Sequence, residues 1–243
     1  MKCLVLAAGY ATRLYPLTKN FPKPLLEVGG KAIIDWLLED IDQIESIDSH
    51  IIISNHRYYN HFINWKNNCK LTKPVTVLDD GSTDNENRLG AVKDIQFAID
   101  SLSLDDDLLV IAGDNIVDFS FRSFVQFAKE KGTTCIMTYK ELSEEALKRC
   151  GIITPDNDFK VLSMVEKPQE PPTNWAVPPF YIYARSDVPY VSKGIAEGCN
   201  TDAPGSFISW LCERRPVYAM PMPGKRYDIG TLESYERVKR IFE

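Results

Sequence analysis

Apolar residues follow two rhythms along this chain, and through its first half the two alternate. Compact runs at Lys2 to Leu6, His50 to Ser54, Pro74 to Leu78, Asp107 to Ala112 and Thr133 to Tyr139 have the length and apolar density of strands buried on both faces. Between them, Ala32 to Ile47, Arg57 to Asn67, Ala91 to Ser101 and Phe121 to Lys131 space their apolar positions three and four residues apart, as one face of a helix requires. This alternation predicts an α/β fold with a central, mostly parallel mixed sheet and helices on both faces, a Rossmann-like three-layer sandwich. After Cys150 the texture changes. Gly151 to Thr154, Val161 to Glu166 and Val177 to Tyr183 read as shorter strands around the proline-rich Lys167 to Thr173, followed by helices near Asp187 to Glu197 and Ser206 to Glu213. This part is expected to form a substrate-side lobe on the same sheet, and Leu232 to Phe242 an amphipathic closing helix. No repeat, low-complexity tract or flexible linker interrupts the 243 residues, so a single domain over 1–243 is expected.

Composition narrows the classes. With 44% hydrophobic and 26% charged residues the chain suits a globular domain with a sizeable core. No apolar run approaches the roughly 18 residues of a membrane span, and the apolar start Cys3 to Ala8 is too short for a signal-peptide core, so no membrane partner and a cytoplasmic location are expected. Six cysteines are scattered without a CxxC pair or a His at ligand spacing, which points to reduced, mostly buried thiols. A formal net charge of -6 argues against nucleic-acid binding, which wants a basic face.

The most informative stretch follows the first strand. Following Leu6, the residues Ala7, Ala8 and Gly9 carry little side-chain bulk at the carboxyl end of a buried strand, where open α/β sheets bind ligands and where backbone amides can be approached closely, which makes Leu6 to Gly9 the nucleotide-binding candidates. Arg13 offers a planar fork suited to phosphate oxygens, and Lys23, set between Pro22 and Pro24, a compact charge on a stiffened segment. Two further places put an acid beside a glycine. Asp114 follows Gly113 at the end of an apolar strand, and Asp228 precedes Gly230 and the last helix; each reads equally as a turn or helix cap.

Taken in order, these segments resemble the sugar-phosphate nucleotidyltransferases. That family's LAAGxGTRL, PLT and K-P-L-L segments stand here as LAAGYATRL, YPLT and FPKPLLEV, with Ala11 where the family usually has Gly. The resemblance runs from Leu4 to the final helix and implies a GT-A-like fold with a nucleotide-binding half over 1–150 and a sugar-phosphate-binding half over 151–243. It implies that Asp114 and Asp228 hold Mg²⁺, that Glu166 of the Glu166-Lys167-Pro168 motif accepts sugar hydroxyls, and that Lys167 contacts the sugar phosphate. Gly151 and Tyr181 fall where the family lines its sugar pocket, and Gly90 lies in the turn that faces the nucleobase. The implied partners are a nucleoside triphosphate and a sugar-1-phosphate. Homo-oligomers are frequent for such architectures. Ending soon after the last motif, the chain is expected to lack the β-helix of bifunctional acetyltransferase relatives.

The chemistry follows from charge. A phosphate monoester approaching a triphosphate meets repulsion of roughly 4 kcal/mol per unit pair at about 4 Å, so neutralisation and alignment are the main catalytic tasks. Arg13 is assigned to the departing pyrophosphate and Lys23 to charge building on the α-phosphoryl group. The base stays open among dTTP, UTP, CTP and GTP, because Arg88 and Leu89 depart from the stretch that reads thymine. Pro178 and Pro179 stand where glucose-1-phosphate enzymes often have Thr-Gly. That departure keeps phosphocholine cytidylyl transfer as an alternative, with Trp175, Tyr181, Tyr183, Tyr190 and Trp210 as a candidate cation cage. A noncatalytic regulatory module of the same fold is the third reading.

Overall fold

The computed structural model describes all residues, 1–243. They form two compact units, one made of Met1–Arg88, Ala112–Phe121 and Gly224–Glu243, the other of Leu89–Ile111 and Arg122–Pro223. The chain therefore crosses between units four times, and neither unit is a single stretch of sequence.

In the first unit, strand Ser49–Ser54 lies between Lys2–Leu6 and Val75–Asp79, both parallel to it, with Leu4 opposite Ile51 and Ile51 opposite Thr76. Its core residues Ile51, Ile52 and Ile53 are buried, as a strand covered on both faces demands. Helix Ile33–Asp42 buries Ile33, Ile34, Leu37, Leu38 and Ile41 on one stripe and packs on the short strand Asn115–Val117. That strand pairs antiparallel with Arg226–Asp228, placing Asp228 opposite Asn115. The last helix, Leu232–Phe242, opens with a capping box between Thr231 and Ser234. It drives Tyr235 and Val238 into a cluster with Leu14, Leu26, Val28, Ile33, Ile116 and Ile229. One apolar cluster thus fixes the end of the first loop, the two-stranded ribbon and the last helix together.

In the second unit, strand Cys135–Lys140 is flanked by Phe180–Tyr183 and Trp175–Val177, both antiparallel, and Tyr218–Pro221 runs parallel to it. Gly151–Pro155 and Val161–Glu166 form a hairpin whose register sets Glu166 opposite Gly151. The α/β class with a mixed sheet is as expected, with parallel pairing among Lys2–Leu6, Ser49–Ser54 and Val75–Asp79 in the first unit and mainly antiparallel pairing in the second.

Three departures have physical causes. The helix expected over Ala32 to Ile47 stops at Asp42, because the next turns are three-residue ones, Ile44 bonding to Ile41 and Ile47 to Ile44. Ile44 and Ile47 stay buried, so the apolar spacing outlasts the helix. The strand expected over Val177 to Tyr183 is split by Pro178 and Pro179, which have no N–H to give a ladder. Strands of two to four residues such as Glu27–Val28, Asn115–Val117 and Arg226–Asp228 are too short to carry a period. No helix is long and apolar enough to cross a membrane.

Candidate active site

The first loop is pinned at its base and open at its tip. Ala7 donates its N–H to the Ile53 carbonyl at 2.9 Å, and Asn55 Nδ2 donates to the Ala8 carbonyl at 2.9 Å. Leu6 accepts from the Gly113 N–H at 3.1 Å, which ties the loop to the Gly-Asp turn. Gly9 is exposed, and a Cβ added there would meet nothing within 4 Å. The protein's own packing therefore gives no reason for glycine at this position, whereas a ligand resting on the backbone would. Ala11 sits in the left-handed region at φ 46 and ψ 44, a conformation that costs an L-residue roughly 1–2 kcal/mol. It is held there by Thr18, whose buried hydroxyl donates to the Ala11 carbonyl at 2.8 Å, and Thr18 is in turn held by the Tyr58 hydroxyl at 2.6 Å. Arg13 follows in the short helix Thr12–Leu14, exposed and with no side-chain ion pair.

Lys23 begins the short helix Lys23–Leu25 and is buried, with its Nζ 2.7 Å from Asp114 Oδ2. Gly113 makes this contact feasible. A Cβ there would lie 2.9 Å from Val5 Cγ1 and 3.4 Å from Pro24 Cβ, so only glycine lets the Asp114 turn close on both the first strand and the lysine segment. Asp114 is about a third exposed. Burial works to raise its pKa, but the Lys23 ammonium prevails, with Arg226 adding to it, and the carboxyl is held below the usual carboxylate range. Its other oxygen, Oδ1, accepts from Asn115 Nδ2 at 2.8 Å. Asn115 is fully buried and accepts from Arg226 at 2.8 Å through Oδ1. The same Arg226 nitrogen stands 3.3 Å from Asp228 Oδ1. Lys23, Asp114, Asn115, Arg226 and Asp228 thus form one continuous polar chain within the first unit. A Cβ at Gly230 would come within 3.2 Å of Asp228 Oδ2 and would push that half-exposed carboxylate aside by a few tenths of an ångström. The cap reading holds at the same time, since Thr231 and Ser234 do start the last helix.

Two hard carboxylates on neighbouring register positions, each partly open to solvent, suit Mg²⁺, which takes one or two protein carboxylates and completes its shell with phosphates and water.

In the second unit, Glu166 ends its strand with Gly151 and Gly205 against its carboxylate. A Cβ on Gly151 would lie 3.1 Å from Glu166 Oε1, and one on Gly205 would overlap it. Burial pushes the Glu166 carboxyl above the usual range; Lys167 opposes this and Asp202 adds to it. Lys167 itself leaves the strand at φ 48, donates its N–H to the Cys150 carbonyl at 2.9 Å, and keeps its Nζ 3.9 Å from Asp202. Gly90 heads helix Ala91–Leu102 at φ 92, and a Cβ there would come within 2.5 Å of the Thr201 carbonyl oxygen. Its glycine is accounted for by the fold alone. Tyr181 is buried, 3% exposed, in strand Phe180–Tyr183.

The aromatic cage considered for a choline head group is not assembled. Tyr183 is fully buried, Trp175 packs edge-on against Phe159 with Lys140 over its ring, and the Trp210 and Tyr190 rings already carry the Arg214 and Arg215 guanidinium groups at 4.3 and 5.6 Å. Tyr181, Tyr183 and Trp210 are core, Trp175 and Tyr190 are half-buried, and the cations over Trp175, Tyr190 and Trp210 are the protein's own.

Sequence reasoning missed Asn115, Arg226 and Gly205. For Arg226 a signal was present: positions two apart on a strand share a face, so an acid at 228 and a base at 226 were bound to stand together once Arg226–Asp228 was recognised as a strand.

A small-residue loop tied to the Gly-Asp turn, with Arg13 following it and Lys23 paired to Asp114 in the same unit, is an arrangement suited to phosphate groups. A sequence model of the nucleotidyl transferase family matches residues 2–243, and the chain belongs to that family. The UTP–glucose-1-phosphate uridylyltransferase of Synechocystis sp. is 26% identical over 243 residues, covering 97% of this chain and 61% of the relative. The glucose-1-phosphate adenylyltransferase of Fervidobacterium nodosum is 28% identical over 250 residues, covering 96% of this chain and 59% of the relative. The chain thus spans about three fifths of the length of these relatives. A solved structure of apo UDP-glucose pyrophosphorylase shares the fold at a TM-score of 0.83 and 20% identity, over 99% of this chain and 97% of that one. The family read from the loop motifs is borne out.

Proposed function

We propose that the protein transfers a nucleotidyl group from a nucleoside triphosphate to a sugar-1-phosphate, giving a nucleoside-diphosphate sugar and pyrophosphate. The observation that carries this reading is the polar chain from Lys23 through Asp114, Asn115 and Arg226 to Asp228. The names of the relatives, which act on glucose-1-phosphate with different nucleotides, support the same reaction class.

A sugar-phosphate oxygen attacks the α-phosphorus in line, the new P–O bond forms, and the bond to the pyrophosphate oxygen breaks with its electron pair leaving on pyrophosphate. The attacking phosphate is already ionised, so no general base is required. Gly9 leaves the loop backbone open to a phosphate, as its vacant Cβ direction allows. Arg13, unpaired and exposed, is free to fork onto the departing pyrophosphate. Lys23, aimed by its flanking prolines and Asp114, meets charge developing on the α-phosphoryl group. Asp114 and Asp228 would hold Mg²⁺, which when bound supplies Lewis-acid neutralisation of phosphate charge. Glu166, a desolvated carboxylate with Gly151 and Gly205 beside it, is suited to accept sugar hydroxyls, and Lys167 to pair with the sugar phosphate. Tyr181, from within its strand, is assigned to the sugar side with Gly151, and Gly90 shapes the turn assigned to the nucleobase. Six cysteines with no disulfide among them support a reducing compartment, the cytoplasm.

Purified protein with Mg²⁺, assayed for pyrophosphate release against a matrix of nucleoside triphosphates and hexose-1-phosphates, tests the reading. At least one productive pair is expected. Nucleotide binding with no pyrophosphate from any pair would turn the assignment toward the regulatory module.

A further inference from the structure

The carboxylate pair is charge-balanced as it stands. Asp114 and Asp228 carry two negative charges, and Lys23 and Arg226 lie 2.7 and 3.3 Å from them with two positive ones. Arg226 is not a loose surface cation. Its side chain is 16% exposed, and its guanidinium is fixed by the buried Asn115 amide, which is itself locked by donating to Asp114. Nor is a third His, Cys, Asp or Glu side chain grouped with the pair to hold a metal ion. Two carboxylates already neutralised by two fixed cations gain little from a divalent ion alone. With that ion they carry an excess of two positive charges, which is what a triphosphate cancels.

We propose that Arg226 is the standing counter-cation of the Asp114 and Asp228 pair, so that the free protein does not retain a divalent ion and takes it only together with the triphosphate. This inference rests on the reading of those two aspartates as the metal-holding residues. Arg226 acts here as a positioning and charge-balancing residue, one step removed from the reacting atoms.

The sign of one measurement separates this role from a merely structural one. Mn²⁺ alone is titrated into the free protein and followed by electron paramagnetic resonance, with thermal melting to confirm that each variant is folded. Wild type is expected to bind Mn²⁺ weakly. Arg226→Gln should bind it at least about tenfold more tightly, because one positive charge has left the ion's surroundings. Arg226→Met, which keeps the aliphatic stem, should behave as Arg226→Gln does, and Arg226→Lys, which keeps the charge, should resemble wild type. A structural prop would give the opposite sign, since a loosened ribbon would bind the ion less well. Equal or weaker Mn²⁺ binding by both neutral variants, or a gain with Arg226→Lys as large as with Arg226→Gln, overturns the proposal. A gain in Arg226→Gln that survives the added Asp228→Asn change instead overturns the assignment of Asp228 as a ligand.

Discussion

Gly113→Ala perturbs the one place where backbone packing and the polar chain meet. The added Cβ would lie 2.9 Å from Val5 Cγ1, a fully buried β-branched side chain with little rotamer freedom, and 3.4 and 3.5 Å from Cβ and Cγ of Pro24. Either the first strand or the lysine segment must retreat by several tenths of an ångström. Overpacking of this kind costs about 1–3 kcal/mol, offset in part by about 0.4–1 kcal/mol from the stiffer unfolded chain. A net loss of about 1–2 kcal/mol should lower the melting temperature by roughly 2–8 °C. Because Pro24 neighbours Lys23, the same retreat should lengthen the 2.7 Å contact to Asp114 and reduce turnover beyond what the melting shift accounts for at assay temperature. Scanning fluorimetry and pyrophosphate release read the two effects separately. Gly9→Ala is the matched control: its Cβ meets nothing, so its melting temperature should stay at wild type or rise by up to about 4 °C through the stiffer unfolded chain, while triphosphate affinity falls. A Gly113→Ala protein with wild-type melting and wild-type turnover would refute the reasoning.

Other consequences can be checked with the same tools. Ala11→Gly should relieve roughly 1–2 kcal/mol of left-handed strain at φ 46 against about 0.4–1 kcal/mol of added unfolded-state freedom, so calorimetry should show equal or modestly higher stability; a loss above about 1 kcal/mol would contradict the strain argument. Glu166 has its folded pKa raised, so the stability tied to it is present below its unfolded pKa of about 4.3 and is lost as pH rises through the folded value. Glu166→Gln should therefore melt above wild type at pH 8, with the gap closing toward pH 4, and should bind sugar phosphate less well. A gap that does not change with pH would refute the desolvation account.

The long elements were legible because their periods were complete. Lys2–Leu6, Val161–Glu166 and Leu232–Phe242 begin and end where the apolar pattern does. The Ile33–Asp42 helix was overrun because Ile44 and Ile47 go on being buried through three-residue turns, which the spacing of apolar residues does not distinguish from an α-helix. Of the polar chain, Lys23, Asp114 and Asp228 could be named from motifs, yet their connection could not. It depends on a three-residue ribbon that pairs residues more than one hundred positions apart, with Arg226 and Asn115 as the links. Glycines divided in the same way. The sequence shows small residues at 9, 90, 113 and 151 alike, and only the surrounding atoms reveal that 90 and 113 are required by packing, that 151 faces the movable ends of Met164 and Glu166, and that 9 meets nothing.

On the proposed function, Asp114 and Asp228 act as one unit in phosphoryl chemistry. The measurement that tests it most directly is the rate of Mg²⁺-dependent pyrophosphate release by Asp114→Asn and Asp228→Asn beside wild type, with folding checked by melting and nucleotide affinity measured separately. Losing neutralisation worth about 3 kcal/mol or more should lower turnover at least about 100-fold in each variant while both stay folded. A folded Asp228→Asn protein that turns over at the wild-type rate would contradict the account.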